Sequence, residues 1–306
     1  MARPRVRLIA NPVASAVGPR TVRTVLGVLE PHCDVELVET QRRDHATELA
    51  AEAVAGGRFD AVVAMGGDGT ANEVLNGTGD ALPIGVLPAG GTSVFPRALG
   101  LPRHVAAAAG TIVAALAEGR ERRINLGVVN GRRFAFAAGV GADAQAVRLV
   151  DGHGRPKGRR PGDAYFAAQI MRTLLRGDFR EPALEVSLDG EVVARGVSVF
   201  AANVHPWSYL GPFALKLAPR ATFEGGLDVV IPSDMRRRHL PRYATQLLVT
   251  GSQARRSDKL LAYLHDVDEL RVSCSRPLPV HADGDDLGDV EEAVFGIARD
   301  AARILV

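Results

Sequence analysis

Long apolar runs are missing from this 306-residue chain. No hydrophobic stretch reaches the roughly 20 residues that a helix needs to cross a bilayer, so a membrane-spanning protein is not expected. The amino-terminal Met1-Ala2-Arg3-Pro4-Arg5 leads into a run too short for a signal peptide. Cysteine is scarce. Cys33 and Cys274 lie far apart and make no disulfide framework, which points to a reducing cytoplasm. An excess of one charge is lacking as well, and a net formal charge of +2 leaves no nucleic-acid-binding footprint. The chain has no P-loop ending Gly-Lys-Ser/Thr, no Gly-x-Ser-x-Gly and no His-Glu-x-x-His. Its 8 histidines are scattered without metal-ligand spacing, which argues against zinc chemistry. Internal repeats and low-complexity tracts are absent too.

What remains is 46% hydrophobic and 24% charged, the balance of a globular protein, in a chain long enough for two cores. The most informative stretch is Ala61-Val62-Val63-Ala64-Met65-Gly66-Gly67-Asp68-Gly69-Thr70-Ala71-Asn72-Glu73-Val74-Leu75. Its valine-rich start reads as a buried strand, and a helix is expected to begin at Thr70 or Ala71. Glycine tolerates positive φ and carries no Cβ, so Gly66, Gly67 and Gly69 let the backbone turn sharply and approach a ligand. N–H groups at such a turn and helix start converge on one point, which suits a phosphate. Asp68 stands in the middle of the loop. Its charge would repel bound phosphates unless a cation intervened, which implies Mg²⁺. An ordinary strand-to-helix turn uses the same glycines, so they alone do not decide between ligand and packing.

Strands are expected over residues 6–10, 35–38 and 84–87, with helices over 21–29, 45–54 and 105–118. That alternation predicts a parallel, doubly wound sheet, whose ligands bind at the carboxyl ends of strands. Asn11, Thr40, Asp68 and Thr92 all fall at that edge. Beyond Arg123 strands predominate, with Asn130-Gly131 and Asp189-Gly190 as hairpin turns. Expected strands over 132–138, 183–188, 192–202 and 227–231 suit an antiparallel sandwich or barrel, with helices at 165–175 and 240–249. Residues 152–162, rich in glycine, proline and arginine, read as a mobile loop. Gly139-Val140-Gly141-Ala142-Asp143-Ala144 fits a loose dinucleotide pattern, yet no βαβ unit surrounds it and a strand-to-helix packing turn is expected. The basic clusters Arg155, Lys157, Arg159, Arg160 and Arg236, Arg237, Arg238 suit solvent or anionic lipid headgroups. The resulting division is 1–122 for the first domain and 123–290 for the second, with 291–306 a candidate for returning to the first.

Gly66-Gly67-Asp68-Gly69-Thr70, followed by Asn72-Glu73-Val74, resembles the nucleotide-binding loop of the diacylglycerol kinase and sphingosine kinase-like lipid kinases. NAD kinases and phosphofructokinases share its Gly-Gly-Asp-Gly core. Leu87 to Gly100 is similar to the second block of the bacterial family, which usually reads Gly-Thr-x-Asn-Asp-Phe-Ala-Arg. Here Gly91 replaces Thr, Ser93 replaces Asn and Val94 replaces Asp. Asn203, Trp207, Tyr209-Leu210-Gly211, Ala218-Pro219-Arg220-Ala221 and Glu224-Gly225-Gly226-Leu227-Asp228-Val229 follow the later blocks in order. Val280-His281-Ala282-Asp283-Gly284-Asp285-Asp286-Leu287-Gly288 stands where the family has Asp-Gly-Glu.

The resemblance implies an α/β fold: an N-terminal doubly wound parallel sheet of NAD kinase and phosphofructokinase type, then a mostly antiparallel C-terminal β-sandwich. It implies ATP and Mg²⁺, with Asn11, Thr40, Gly66, Gly67, Asp68, Gly69, Thr70, Asn72, Gly91, Thr92 and Asp283 at the nucleotide. Asp68 would position the metal and Asp285 would be the base. Glu224, with the carbonyls of Ala221 and Gly226, takes the place of a structural Mg²⁺ site. The acceptor would be a lipid such as diacylglycerol, phosphorylated by a cytoplasmic protein held peripherally at the inner face of the membrane, with a homodimer as a further expectation. An NAD kinase-like enzyme and a catalytically silent lipid- or nucleotide-binding protein remain open.

Overall fold

The computed structural model describes residues 3–152, 182–210, 213–251 and 260–306. The chain forms two compact units, Met1–Ile124 with Arg299–Val306, and Asn125–Ala298.

In the first unit, β1 (Arg5–Ala10) lies between β2 (Asp34–Glu39) and β3 (Ala61–Gly66), and β4 (Ile84–Pro88) follows β3, all parallel. Val6, Leu8, Ala10, Ala61, Val63 and Met65 alternate onto one face, where Val25 and Leu29 of α1 (Pro19–Leu29) and Ala108 and Ile112 of α5 (Val105–Glu118) cover them. The other face is covered by α2 (His45–Gly56) and α3 (Asp68–Thr78). Every residue of β3 is buried as a result, which is why it reads as an unbroken apolar run. Gly77 lets α3 lie directly on α2, since a Cβ there would stand 2.2 Å from the Thr47 carbonyl. The last strand of the chain, β16 (Asp285–Leu305), ends in this unit with Ile304 beside Ile84 of β4.

The second unit is antiparallel. Strand β7 (Ala137–Gly141) pairs with β10 (Ser198–Ala202) and β15 (Glu269–Ala282); β10 pairs with β13 (Leu227–Pro232), and β13 with β14 (Leu261–Val267). The long β15 also pairs with β8 (Leu184–Leu188) and with β16, while β8 pairs with β9 (Glu191–Gly196). Phe134, Val140, Val186, Val199, Val229, Val272, Val280 and Phe295 share one core. Asn130-Gly131, Asp189-Gly190 and Asp283-Gly284 all take positive φ at both residues, the signature of a tight type I′ hairpin. The Gly139–Ala144 stretch is a strand-to-helix turn: β7 ends at Gly141 and α6 (Ala142–Gly152) starts at once. The helix expected over 240–249 is composite, a 3₁₀ turn at Arg237–His239, an α turn at Leu240–Thr245 and a π turn at Gln246–Thr250. The helix expected over 165–175, the basic cluster from Arg155 to Arg160, nearly all of the 152–162 loop, and Gly211 lie outside the described residues. No described helix is long and apolar enough to cross a membrane.

Candidate active site

Strand β3 ends at Gly66 and α3 begins at Asp68, two residues earlier than the sequence suggests. None of Gly66, Gly67 and Gly69 uses positive φ. What matters is the missing Cβ. At Gly66 it would lie 2.4 Å from Thr70 Oγ1, and at Gly90 it would lie 2.5 Å from the Gly67 Cα. The loop after β3 and the loop after β4 therefore touch backbone to backbone, and only glycine permits that contact. At Gly91 a Cβ would meet nothing within 4 Å, and this exposed stretch with half-buried Thr92 forms the open rim.

Asp68 binds the two loops together. Its Oδ2 accepts the Val94 N–H at 3.0 Å and its Oδ1 accepts the Phe95 N–H at 2.9 Å. The physical need lies at Ser93, which precedes the short helix α4 (Val94–Ala98) with φ 49 and ψ 58 and makes no side-chain cap. An N-cap normally has extended backbone so that its own oxygen reaches the first helical N–H groups. Left-handed Ser93 cannot do so, and Asp68 supplies the acceptor from a neighbouring loop. Glu73 repeats the arrangement one turn later. The N-cap of α2, Asp44, is also left-handed and uncapped by its own side chain, and Glu73 Oε2 accepts the Ala46 N–H at 3.0 Å. Sequence reading missed this duty of Glu73.

The remaining nucleotide candidates divide. Asn11 donates through Nδ2 to Thr70 Oγ1 at 3.0 Å and accepts the Val13 N–H at 3.1 Å. Thr40 lies just past β2, its N–H on the Ala10 carbonyl at 2.9 Å. Asn11, Thr40, Thr70 and the glycines thus share the carboxyl edge of the sheet. Asn72 does not. It is 1% exposed, and its oxygens accept from Asn76 Nδ2 one turn down α3.

In the second unit, Asp283 is 6% exposed. Its carboxylate accepts three successive N–H groups, from Ala135, Phe136 and Ala137, at 2.6, 2.9 and 3.1 Å. The group anchors the hairpin turn to the chain entering β7. Asp285 pairs with Ala282 across that turn and is half-buried. Its neighbour Asp286 is gripped by Arg148, with Nε to Oδ2 at 2.8 Å and Nη2 to Oδ1 at 3.0 Å. Arg148 also reaches Asp289 at 2.6 Å, and these carboxylates, Asp286 first, raise its already high pKa. Adjacent residues of a strand face opposite ways, so Asp285 presents the face away from Arg148. Below the turn, His281 Nε2 lies 3.0 Å from Asp143 Oδ2, while Asp143 Oδ1 accepts from Ser198 Oγ at 2.9 Å. Gly139 makes room for this chain, since a Cβ there would sit 2.0 Å from Asp143 Oδ2.

The residues proposed for a structural Mg²⁺ do not fit one. Glu224 is exposed, the Ala221 carbonyl accepts the His205 N–H at 3.1 Å, and the Gly226 N–H donates to Asp266 Oδ1 at 2.6 Å. A single exposed carboxylate beside a carbonyl already bonded to His205 is a poor set for an ion that demands octahedral oxygen ligands, and protein hydrogen bonds already close this turn. Among the described residues no group of three or more His, Cys, Asp or Glu is placed to hold a metal. Beside the turn, buried Asp228 is bonded by His265 Nδ1 at 2.6 Å and by the Tyr263 hydroxyl. Burial, then the Asp228 bond, pushes the Tyr263 phenol up.

Residues 5–129 match the diacylglycerol kinase catalytic domain, and residues 137–305 match the YegS C-terminal NAD kinase beta sandwich-like domain. The chain is 29% identical over 252 residues to the diacylglycerol kinase of Bacillus subtilis (strain 168), covering 79% of this chain and 78% of that one. It is 34% identical over 144 residues to the diacylglycerol kinase of Staphylococcus saprophyticus, an alignment spanning 45% of this chain and 46% of the relative. A diacylglycerol kinase structure from Bacillus anthracis superposes with a TM-score of 0.72 at 17% identity, covering 99% of this chain and 96% of that one. An NAD kinase from Archaeoglobus fulgidus, solved in complex with ATP, superposes at 0.55 with 13% identity, covering 99% and 93%. At those identities the two structures establish a shared fold.

Proposed function

Because the chain belongs to the diacylglycerol kinase family, with the catalytic domain followed by the YegS-type sandwich, we propose that it transfers the γ-phosphate of ATP to a hydroxyl of a lipid such as diacylglycerol. The observation that carries this reading is the backbone contact of the two glycine loops at Gly67 and Gly90, tied by Asp68. Phosphate oxygens need close approach to backbone N–H groups at the positive end of a helix. The first turn of α3 offers such groups beyond the helix's own ladder, in a loop with no Cβ at Gly66, Gly67 or Gly69.

ATP enters as its Mg²⁺ complex, and one carboxylate with waters and phosphates suffices for that ion. Asp68 would hold that ion, since a carboxylate oxygen that accepts an N–H still has a second lone pair. In the transfer, the acceptor oxygen bonds to the γ-phosphorus as the bond to the bridging oxygen of ADP breaks, and the hydroxyl proton passes to a carboxylate, for which we assign Asp285. Such a step is dominated by positioning and charge neutralisation. A lipid acceptor places the enzyme at the inner surface of a membrane.

The test offers radiolabelled ATP in parallel to dispersed diacylglycerol and to NAD. Label in the lipid supports the proposal; label in NAD alone overturns it. Asp285→Asn should then lower single-turnover transfer by roughly 10²–10⁴ with ATP binding retained, whereas Asp286→Asn, which weakens the Arg148 pair, should leave the rate within a few-fold.

A further inference from the structure

We propose that the helical segment Arg237–Thr250, with Arg236 before it and the β12 strand (Phe213–Ala214) beside it, docks the protein on an anionic lipid bilayer. This rests on the lipid-kinase reading, which it deepens by naming the surface.

Between Met235 and Gly251 the sequence has Arg236, Arg237, Arg238 and Arg242 and not one acidic residue. The arginines crowd the amino-terminal end of the segment, whose first turns carry no acid. A helix amino terminus is the positive end of its dipole, where cations are unfavourable. The dipole therefore does not favour the first of these charges, whereas an external anionic surface suits the whole cluster.

Further along, the exposed side becomes apolar. Leu248 is 44% exposed, Val249 63% and Phe213 68%. Lys216, three residues past Phe213, ties the two segments together: its N–H donates to the Leu247 carbonyl at 2.7 Å and its Nζ to the Val249 carbonyl at 3.2 Å. The opposite side is fastened to the body. The Tyr243 hydroxyl donates to the Asp234 carbonyl at 2.5 Å and reaches the Leu260 carbonyl at 3.1 Å, and Asp234 lies 3.3 Å from Arg236 and 3.6 Å from His239. Arg237, Arg238 and Arg242 stay exposed. The result is a rigidly mounted amphipathic element, basic at one end and apolar at the other. An acidic protein would answer the charge alone. A bilayer with acidic headgroups answers both features, taking the arginines at the phosphates and the apolar edge at the acyl boundary.

The test floats the whole protein with vesicles of phosphatidylcholine, with or without phosphatidylglycerol. We expect partitioning only onto the anionic vesicles, weakened by salt. Each arginine near such a surface is worth roughly fivefold in partitioning, so R237Q/R238Q/R242Q should lose about a hundredfold. L248S/V249S should lose roughly tenfold on the same vesicles, and Phe213→Trp should show a blue-shifted emission on binding. Unchanged melting temperatures establish that the variants are folded. Equal binding by parent and triple variant, equal binding to neutral vesicles, or no vesicle binding alongside self-association that the triple variant abolishes would each overturn the proposal. Anionic-vesicle binding without lipid phosphorylation would sink the kinase reading and leave the docking surface standing. Phosphorylation of dispersed lipid without vesicle binding would do the reverse.

Discussion

The two units use one device in two settings. In the first, Asp68 accepts two successive N–H groups at the start of α4; in the second, Asp283 accepts three from Ala135 to Ala137. Asp68 is half-buried beside an open glycine rim, while Asp283 is 6% exposed. A carboxylate that fastens two chain segments can still serve a ligand where solvent reaches it. Where solvent does not, its role is confined to the fold. Exposure, more than residue type, separates the two acids.

The sharpest way to break this comparison is Asp283→Ala. Three backbone donors would lose a charged acceptor in a buried place, a cost on the order of 4 kcal/mol, read by urea unfolding. A loss below about 1 kcal/mol would mean that water replaces the carboxylate and the site is open after all. Asp68→Asn should behave differently. Its amide oxygen keeps one of the two bonds, so stability should fall by about 1 kcal/mol, while phosphoryl transfer should fall about a hundredfold, equivalent to roughly 3 kcal/mol of barrier. Full activity in a destabilised Asp68→Asn would reduce this residue to a helix cap, like Asp283 a structural group.

Ser93 tests the reason that Asp68 is needed. A left-handed backbone costs a serine about 1 kcal/mol that asparagine or glycine largely avoids. Ser93→Gly and Ser93→Asn should therefore raise the urea midpoint, with Asp68 still capping α4; an unchanged midpoint would show that the strain is absent. The smallest effect concerns a base in the second unit. Burial, then the nearby Lys216 charge, lowers the His205 pKa from its usual 6.5. Below that value the unfolded chain takes up a proton that the folded chain refuses. Stability should thus fall as pH drops through 6.5, until the folded histidine is protonated as well. His205→Gln should flatten that part of the pH–stability curve, and an unaltered slope would assign it to other groups.

Much of the fold was legible because its signals are local. Short valine-rich apolar runs placed β1 to β4, and Asn130-Gly131 and Asp189-Gly190 marked hairpins because two consecutive positive φ angles favour those residues. The glycine loop was recognised with an incomplete reason. The sequence suggests freedom of φ, whereas the structure uses the absence of a Cβ, a fact about Thr70 and Gly90 approaching from elsewhere. The acids were harder. Asp68 and Glu73 accept helix-start N–H groups 26 and 27 residues away, and the donors to Asp283 lie 146 to 148 residues upstream. No spacing along the chain encodes such a partner.

By itself, then, the order of residues determined the alternation of strands and helices, the turns, and a glycine loop at the end of β3, since each follows from backbone preference and side-chain period within a few residues. Only the tertiary structure decided what the carboxylates do. A charged oxygen takes its role from the N–H groups, guanidinium or solvent that folding brings within about 3 Å, and for Asp68, Asp283 and Asp286 those neighbours come from distant parts of the chain.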